Sequence, residues 1–98
     1  MGTVRWTQGA RDDLRGIHHF VLRDSPGAAD ALLNRVVTAA ERLMLFPRSG
    51  RIVPELAGLG YREIIVGSYR LVYAHEDDTV WIVAVTHGRR PLDGSRFA

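Results

Sequence analysis

Ninety-eight residues are enough for one domain, 1–98, and too few for two. There is no cysteine, which excludes disulfides and thiolate chemistry, and all 13 basic residues are arginine, which excludes any mechanism built on a lysine. The net charge of +2 argues against a strong nonspecific grip on nucleic acid, and no apolar run is long enough to span a membrane. With no apolar signal segment in the sequence, the expected location is the cytoplasm.

Val4-Arg5-Trp6 reads as a short strand. Thr7 then caps a helix whose apolar stripe is Ala10, Leu14, Ile17 and Val21, at i, i+4, i+7 and i+11. Asp12 and Asp13 are expected in its first turn, where the helix dipole favours negative charge. Asp24-Ser25-Pro26-Gly27 breaks the chain, with Ser25 as cap and Pro26 at the first helical position. The second helix carries a continuous apolar face of Ala29, Leu32, Leu33, Val36, Val37, Ala40, Leu43 and Met44, and Phe46-Pro47 ends it. So short a connection predicts an antiparallel helical hairpin.

Residues 47–60 hold two prolines and three glycines and read as a loop, with room for a single turn around Glu55-Leu56. Strands follow at about 61–66, 69–75 and 79–86. The first hairpin turns at Gly67-Ser68 and the second through Glu76-Asp77-Asp78-Thr79. Gly88 and Pro91 stop the last strand. The order is β-α-α-β-β-β, an α+β fold with the helical hairpin packed on one face of a small curved, mainly antiparallel sheet. The first strand is expected beside the last, and the opposite face is expected to be concave and less covered.

Arg70 sits inside the middle strand, on the face of Val72 and opposite Tyr69 and Leu71. A half-buried strand has little reason to carry an arginine unless an anion meets it. That anion is either external or a cross-strand carboxylate such as Glu63. The last strand closes on His87-Gly88-Arg89-Arg90, and residues 87–98 hold three arginines against one aspartate. His18 and His19 diverge by about 100° on a helix and do not make a metal pair. No metal or cofactor is expected.

The Tyr61-Arg62…Gly67-Ser68-Tyr69-Arg70-Leu71-Val72-Tyr73 block, the Phe46-Pro47…Gly50 stop and the terminal His87-Gly88-Arg89-Arg90-Pro91-Leu92 together resemble the ParE-type toxins of the RelE/ParE superfamily. These are the toxin halves of bacterial type II toxin–antitoxin pairs. The resemblance covers nearly the whole chain. It implies a cognate antitoxin and, in the ParE branch, a DNA gyrase inhibitor that performs no chemistry itself and arrests growth. In the RelE branch it implies an endoribonuclease that cuts messenger RNA on the ribosome. A binding-only relative that acts with an antitoxin is a third reading.

RelE-like cleavage is associated with lysines and arginines around the scissile phosphate and a tyrosine near the C-terminus. This sequence has no lysine, and its last tyrosine is Tyr73. If the chain is a ribonuclease, the resemblance points to Arg70, Arg89, His87 and Glu55. If it is a binder, the target-contacting candidates are Arg62, Arg70, His87, Arg89 and Arg90. The antitoxin is expected near Leu14, Ile17, Val21 and Leu22 on the first helix, a surface also open to homodimerisation in the antitoxin's absence. Two arginines without a clear base favour the binder.

Overall fold

Thr7 and Ser25 start the two helices as their side chains predict. In the computed structural model, which describes residues 2–97, the Thr7 hydroxyl accepts from the Ala10 amide at 3.1 Å and the Ser25 hydroxyl from the Ala28 amide at 3.3 Å. The elements are β1 (Thr3–Trp6), α1 (Gln8–Leu22), α2 (Pro26–Arg42), β2 (Arg51–Ile52), β3 (Tyr61–Val66), β4 (Tyr69–Glu76) and β5 (Thr79–His87). Single helical turns add Pro54–Leu56 and Gly94–Arg96. Among the described residues, no helix is long and apolar enough to cross a membrane.

The sheet order is β1-β5-β4-β3-β2. The first strand lies parallel to the last, and every other pairing is antiparallel. The helical hairpin covers one face of the sheet, as expected. The turn around Glu55-Leu56 is present. The fifth strand, β2, was not anticipated: it lies in the segment read as loop and pairs only Arg51 with Glu63 and Ile52 with Arg62. A two-residue strand has too little periodicity to be seen in a sequence.

Asp12 and Asp13 fall beyond the first turn of α1, contrary to expectation. Asp13 instead faces the sheet and accepts the Val85 amide at 3.0 Å. It thereby occupies a backbone donor on the part of β5 that β1 does not reach.

The principal core lies between helices and sheet. Ala10, Val36, Ala40 and Leu43 meet Val66, Leu71, Tyr73, Val80, Ile82 and Val85. Strand alternation alone would not place both Ile82 and Val85 there. A bulge does so: Val72 pairs with Ala84 and Tyr73 with Ile82, leaving Val83 as the extra residue.

Tyr73 explains the Pro47…Gly50 stop. Its hydroxyl donates to the Pro47 carbonyl at 2.7 Å and accepts the Gly50 amide at 3.0 Å. A Cβ on residue 50 would lie 2.6 Å from the Glu63 carbonyl oxygen and 2.7 Å from the Tyr73 hydroxyl, so only glycine fits. Burial raises the Tyr73 pKa, so the phenol keeps the proton it donates.

The opposite face, expected to be the less covered one, carries a thin layer of loop and tail in place of helices. Val53 and Leu56 from the loop, with Leu92 and Phe97 from the C-terminal segment, close over Val72 and Ala84. Phe97 packs at a tilt against Tyr61 with ring centroids 5.2 Å apart. Arg96 fastens the segment, reaching Asp13 at 2.7 Å and the Val83 carbonyl at 3.3 Å.

Candidate functional site

The face opposite the helices carries a charge cluster centred on Arg70. Register explains part of it. Arg70 pairs with Ile65 on β3 and Glu63 with Val72 on β4, so the two side chains are diagonal neighbours on one face. Arg70 Nε donates to Glu63 Oε1 at 2.7 Å, and Nη2 lies 2.5 Å from the same oxygen. The Pro54–Leu56 turn then brings Glu55 against the outer edge of the guanidinium. Nη1 and Nη2 donate to its two oxygens at 2.6 and 2.8 Å, a bidentate fork. Arg51 caps the far side of Glu63 at 2.5 Å.

Two arginines thus balance two carboxylates. Arg70 is 5% exposed and Glu63 1%. Burying such charges is tolerable only because each is paired and hydrogen-bonded. Arg70, through its hydrogen bonds, holds the Glu55 carboxyl down at about 2. Glu55, and then Glu63, raise the Arg70 pKa against the effect of burial. Glu55 also accepts the Leu92 amide at 3.2 Å, which ties the cluster to the C-terminal segment.

The other candidates sit at different places. His87 is exposed at the end of β5, edge-on to Tyr69 with centroids 5.7 Å apart. Its Nδ1 accepts the Arg89 amide at 3.2 Å, which leaves Nε2 to carry the proton of the neutral ring. Arg89 and Arg90 are exposed in the following turn. His87, Arg89 and Ser68 line a shallow pocket of about 330 Å³. Arg62 lies on the opposite face from Arg70, where it donates to the Gly50 carbonyl at 2.8 Å.

The structure therefore joins Glu55 to Arg70. It sets His87, Arg89 and Arg90 at the neighbouring sheet end, and it keeps Arg62 apart. On α1, Leu14 and Ile17 pack against the principal core, Val21 is half-buried and Leu22 is 40% exposed. Phe20, at 64% exposed, is the large apolar residue most open on that helix, and it lay off the predicted stripe. His18 is turned to Asp30 of α2 at 3.2 Å, which pins the hairpin.

This architecture is that of the RelE/ParE-type toxins. The chain is similar to a solved chain of the chromosomal ParDE toxin–antitoxin system from P. aeruginosa. The TM-score is 0.70 at 21% identity, covering 89% of this chain and 96% of that one. It is also similar to a chain of the toxin–antitoxin complex RelBE2 from Mycobacterium tuberculosis, with a TM-score of 0.61 at 35% identity, covering 88% and 96%.

A family model described as the ParE toxin of the type II toxin–antitoxin system parDE matches residues 4–92, and the chain belongs to that family. Toxin RelE2 from Caulobacter vibrioides is 36% identical over 91 residues, spanning 92% of this chain and 99% of that protein. The protein is a toxin of the type II toxin–antitoxin class.

Proposed function

We propose that this toxin acts by binding rather than by cutting, and that DNA gyrase is its target. The observation that carries this reading is the closed Glu55–Arg70–Glu63 cluster. Every nitrogen of the Arg70 guanidinium already has a carboxylate partner. A ribonuclease would need Arg70 free for the scissile phosphate and a base poised near neutral pH. Glu55 at about 2 is too weak a base for that work, and a lysine substitute does not exist in the sequence. The match to the ParE family supports the gyrase target.

The contact surface of this reading is the exposed end formed by His87, Arg89 and Arg90. It lies beside the cluster but does not depend on opening it. A cognate antitoxin would dock on α1 around Leu22 and Phe20, the apolar side chains left open there.

The test is a supercoiling and DNA-cleavage assay with purified gyrase. Inhibition with accumulation of cleaved DNA is expected at micromolar toxin, and it should weaken on replacing Arg89 and Arg90 together by alanine. No effect on gyrase at that concentration would remove the reading. The second reading, a ribosome-dependent ribonuclease, is favoured by the names of the RelE2 and RelBE2 relatives. Primer extension on translated messages after induction separates the two, because only a nuclease leaves new message ends.

A further inference from the structure

Strand alternation sets Trp81 apart. Its neighbours Val80 and Ile82 are buried in the principal core, so its side chain turns to the face opposite the helices. On that face it pairs with Arg5 of β1 on one side and Ala74 of β4 on the other. The alanine methyl is too small to cover an indole, and Trp81 stays half-buried. Arg5 lies on an edge strand and is exposed. Its guanidinium carbon is 6.0 Å from the Trp81 ring centroid, within cation–π reach.

A cleft of about 430 Å³ runs around this edge, lined by Val4, Arg5, Trp6, Arg11 and Trp81. That volume is in the range of small-ligand sites. No carboxylate lines it. Neither Arg5 nor Arg11 has an ion-pair partner among the described residues. The cleft is also short. Two residues along β5 from Trp81, Thr79 pairs with Glu76, which puts that carboxylate on the same face. In the other direction the C-terminal segment closes over Val83, and Arg96 donates to the Val83 carbonyl.

We infer that this cleft binds a free purine nucleotide, with the base between Trp81 and Arg5 and the phosphates on Arg11. A flat ring stacked on both partners needs them about 6.8 Å apart, two stacking spacings of about 3.4 Å. Arg5 reaches that from 6.0 Å with a small swing of an exposed side chain. A guanidinium stacks on a base as it does on an indole, and Arg11 offers a phosphate two parallel donors.

Other ligands fit less completely. An acidic peptide satisfies the arginines but leaves the indole face bare. A continuous single strand carries a phosphate at every base, and Glu76 on one side and the tail on the other leave it no path. The cleft is separate from the surfaces assigned to target and antitoxin. His87 is about 20 Å from Trp81 along β5, and Phe20 about 13.5 Å from Arg11 along α1. The inference holds whichever cellular target the toxin has.

Trp6 and Trp81 are the two tryptophans of the chain, so intrinsic fluorescence reports on the cleft directly. The probes are ATP, adenosine, inorganic tripolyphosphate and an oligodeoxyadenylate. ATP should quench saturably, and the quench should persist in Trp6→Phe and be lost in Trp81→Phe. Adenosine should bind about tenfold more weakly than ATP, and tripolyphosphate should compete without quenching. Arg5→Ala and Arg11→Ala should each lower ATP affinity about tenfold. Both arginines are exposed, so these variants should fold, and circular dichroism checks that they do. The inference is overturned if millimolar ATP gives no quench, if the quench follows Trp6 in place of Trp81, if adenosine binds as well as ATP, or if the Arg5→Ala/Arg11→Ala variant binds ATP unchanged. Tighter arginine-dependent binding of the oligodeoxyadenylate than of ATP overturns it as well.

Discussion

The two faces of one sheet are sealed by different physics. Under the helices, Leu71, Tyr73, Ile82 and Val85 are closed off mainly by hydrocarbon from α1 and α2. On the other side, Val72 and Ala84 are covered by a thin layer of loop and tail, and beside them Arg70 is held between two carboxylates. The apolar face gains from area removed from water and has little directional demand. The charged face depends on every partner being in place, because an ion left buried without its counter-ion is far more damaging than a lost methylene. A face built in this way is specific in geometry and intolerant of single changes.

The largest effect should come from splitting the buried pair. Glu63→Ala removes the carboxylate shared by Arg70 and Arg51, leaves the buried Arg70 with the Glu55 fork alone, and should lower stability by about 3–5 kcal/mol, measured by urea unfolding. Replacing the buried pair together with the second carboxylate, Glu63→Leu, Arg70→Met and Glu55→Gln, should recover most of that loss. A triple variant as unstable as the single one would show that shape and not charge governs this face. On the apolar face, Ile82→Ala should lower stability by about 2–4 kcal/mol through lost burial and the cavity left behind. Tyr73→Phe lies between the two regimes. It keeps the ring but strips the Gly50 amide and the Pro47 carbonyl of their partner, for about 1–3 kcal/mol.

Acid titration distinguishes the faces without mutation. The Glu55 carboxyl is depressed from 4.5 to about 2, so its contribution is complete above pH 4.5 and is lost as pH falls toward 2. Partial exposure limits that contribution to about 1–2 kcal/mol. Glu55→Gln should flatten this part of the stability curve, whereas Ile82→Ala should shift it down without changing its shape. The smallest effect belongs to the rim. Arg96→Ala breaks a partly exposed pair with Asp13 and should change stability by about 0.5–1 kcal/mol, while speeding hydrogen exchange in residues 92–97.

How much of this was legible depended on distance along the chain. Helix caps at Thr7 and Ser25, the hairpin turn at Gly67 and the partnership of Arg70 with Glu63 are local or follow from strand period. Residue types and spacing carry them. The bidentate grip of Glu55 on Arg70 comes from a turn held over the sheet by Val53 and Leu56, and no spacing in the sequence marks it. Asp13 looked like a helix-start acid because its true partners, Val85 and Arg96, lie 72 and 83 residues away. The bulge at Val83 was hidden for another reason. Ile82, Val83, Ala84 and Val85 are all apolar, so an extra residue disturbs no visible alternation.

The pairing of the first strand with the last has a consequence for how the molecule is made. Thr3–Trp6 emerges from the ribosome well before its neighbour Thr79–Ile82, with both helices and two strands made in between. Until then β1 has no place in the sheet, and the helical hairpin, built from near-neighbour contacts, is the part able to form early. Asp13 waits longer still, because its latch on Arg96 needs residues made after β5. Closure of the far face thus follows completion of the sheet, and a chain released short of Leu92 would leave Val72 and Ala84 under Val53 and Leu56 alone.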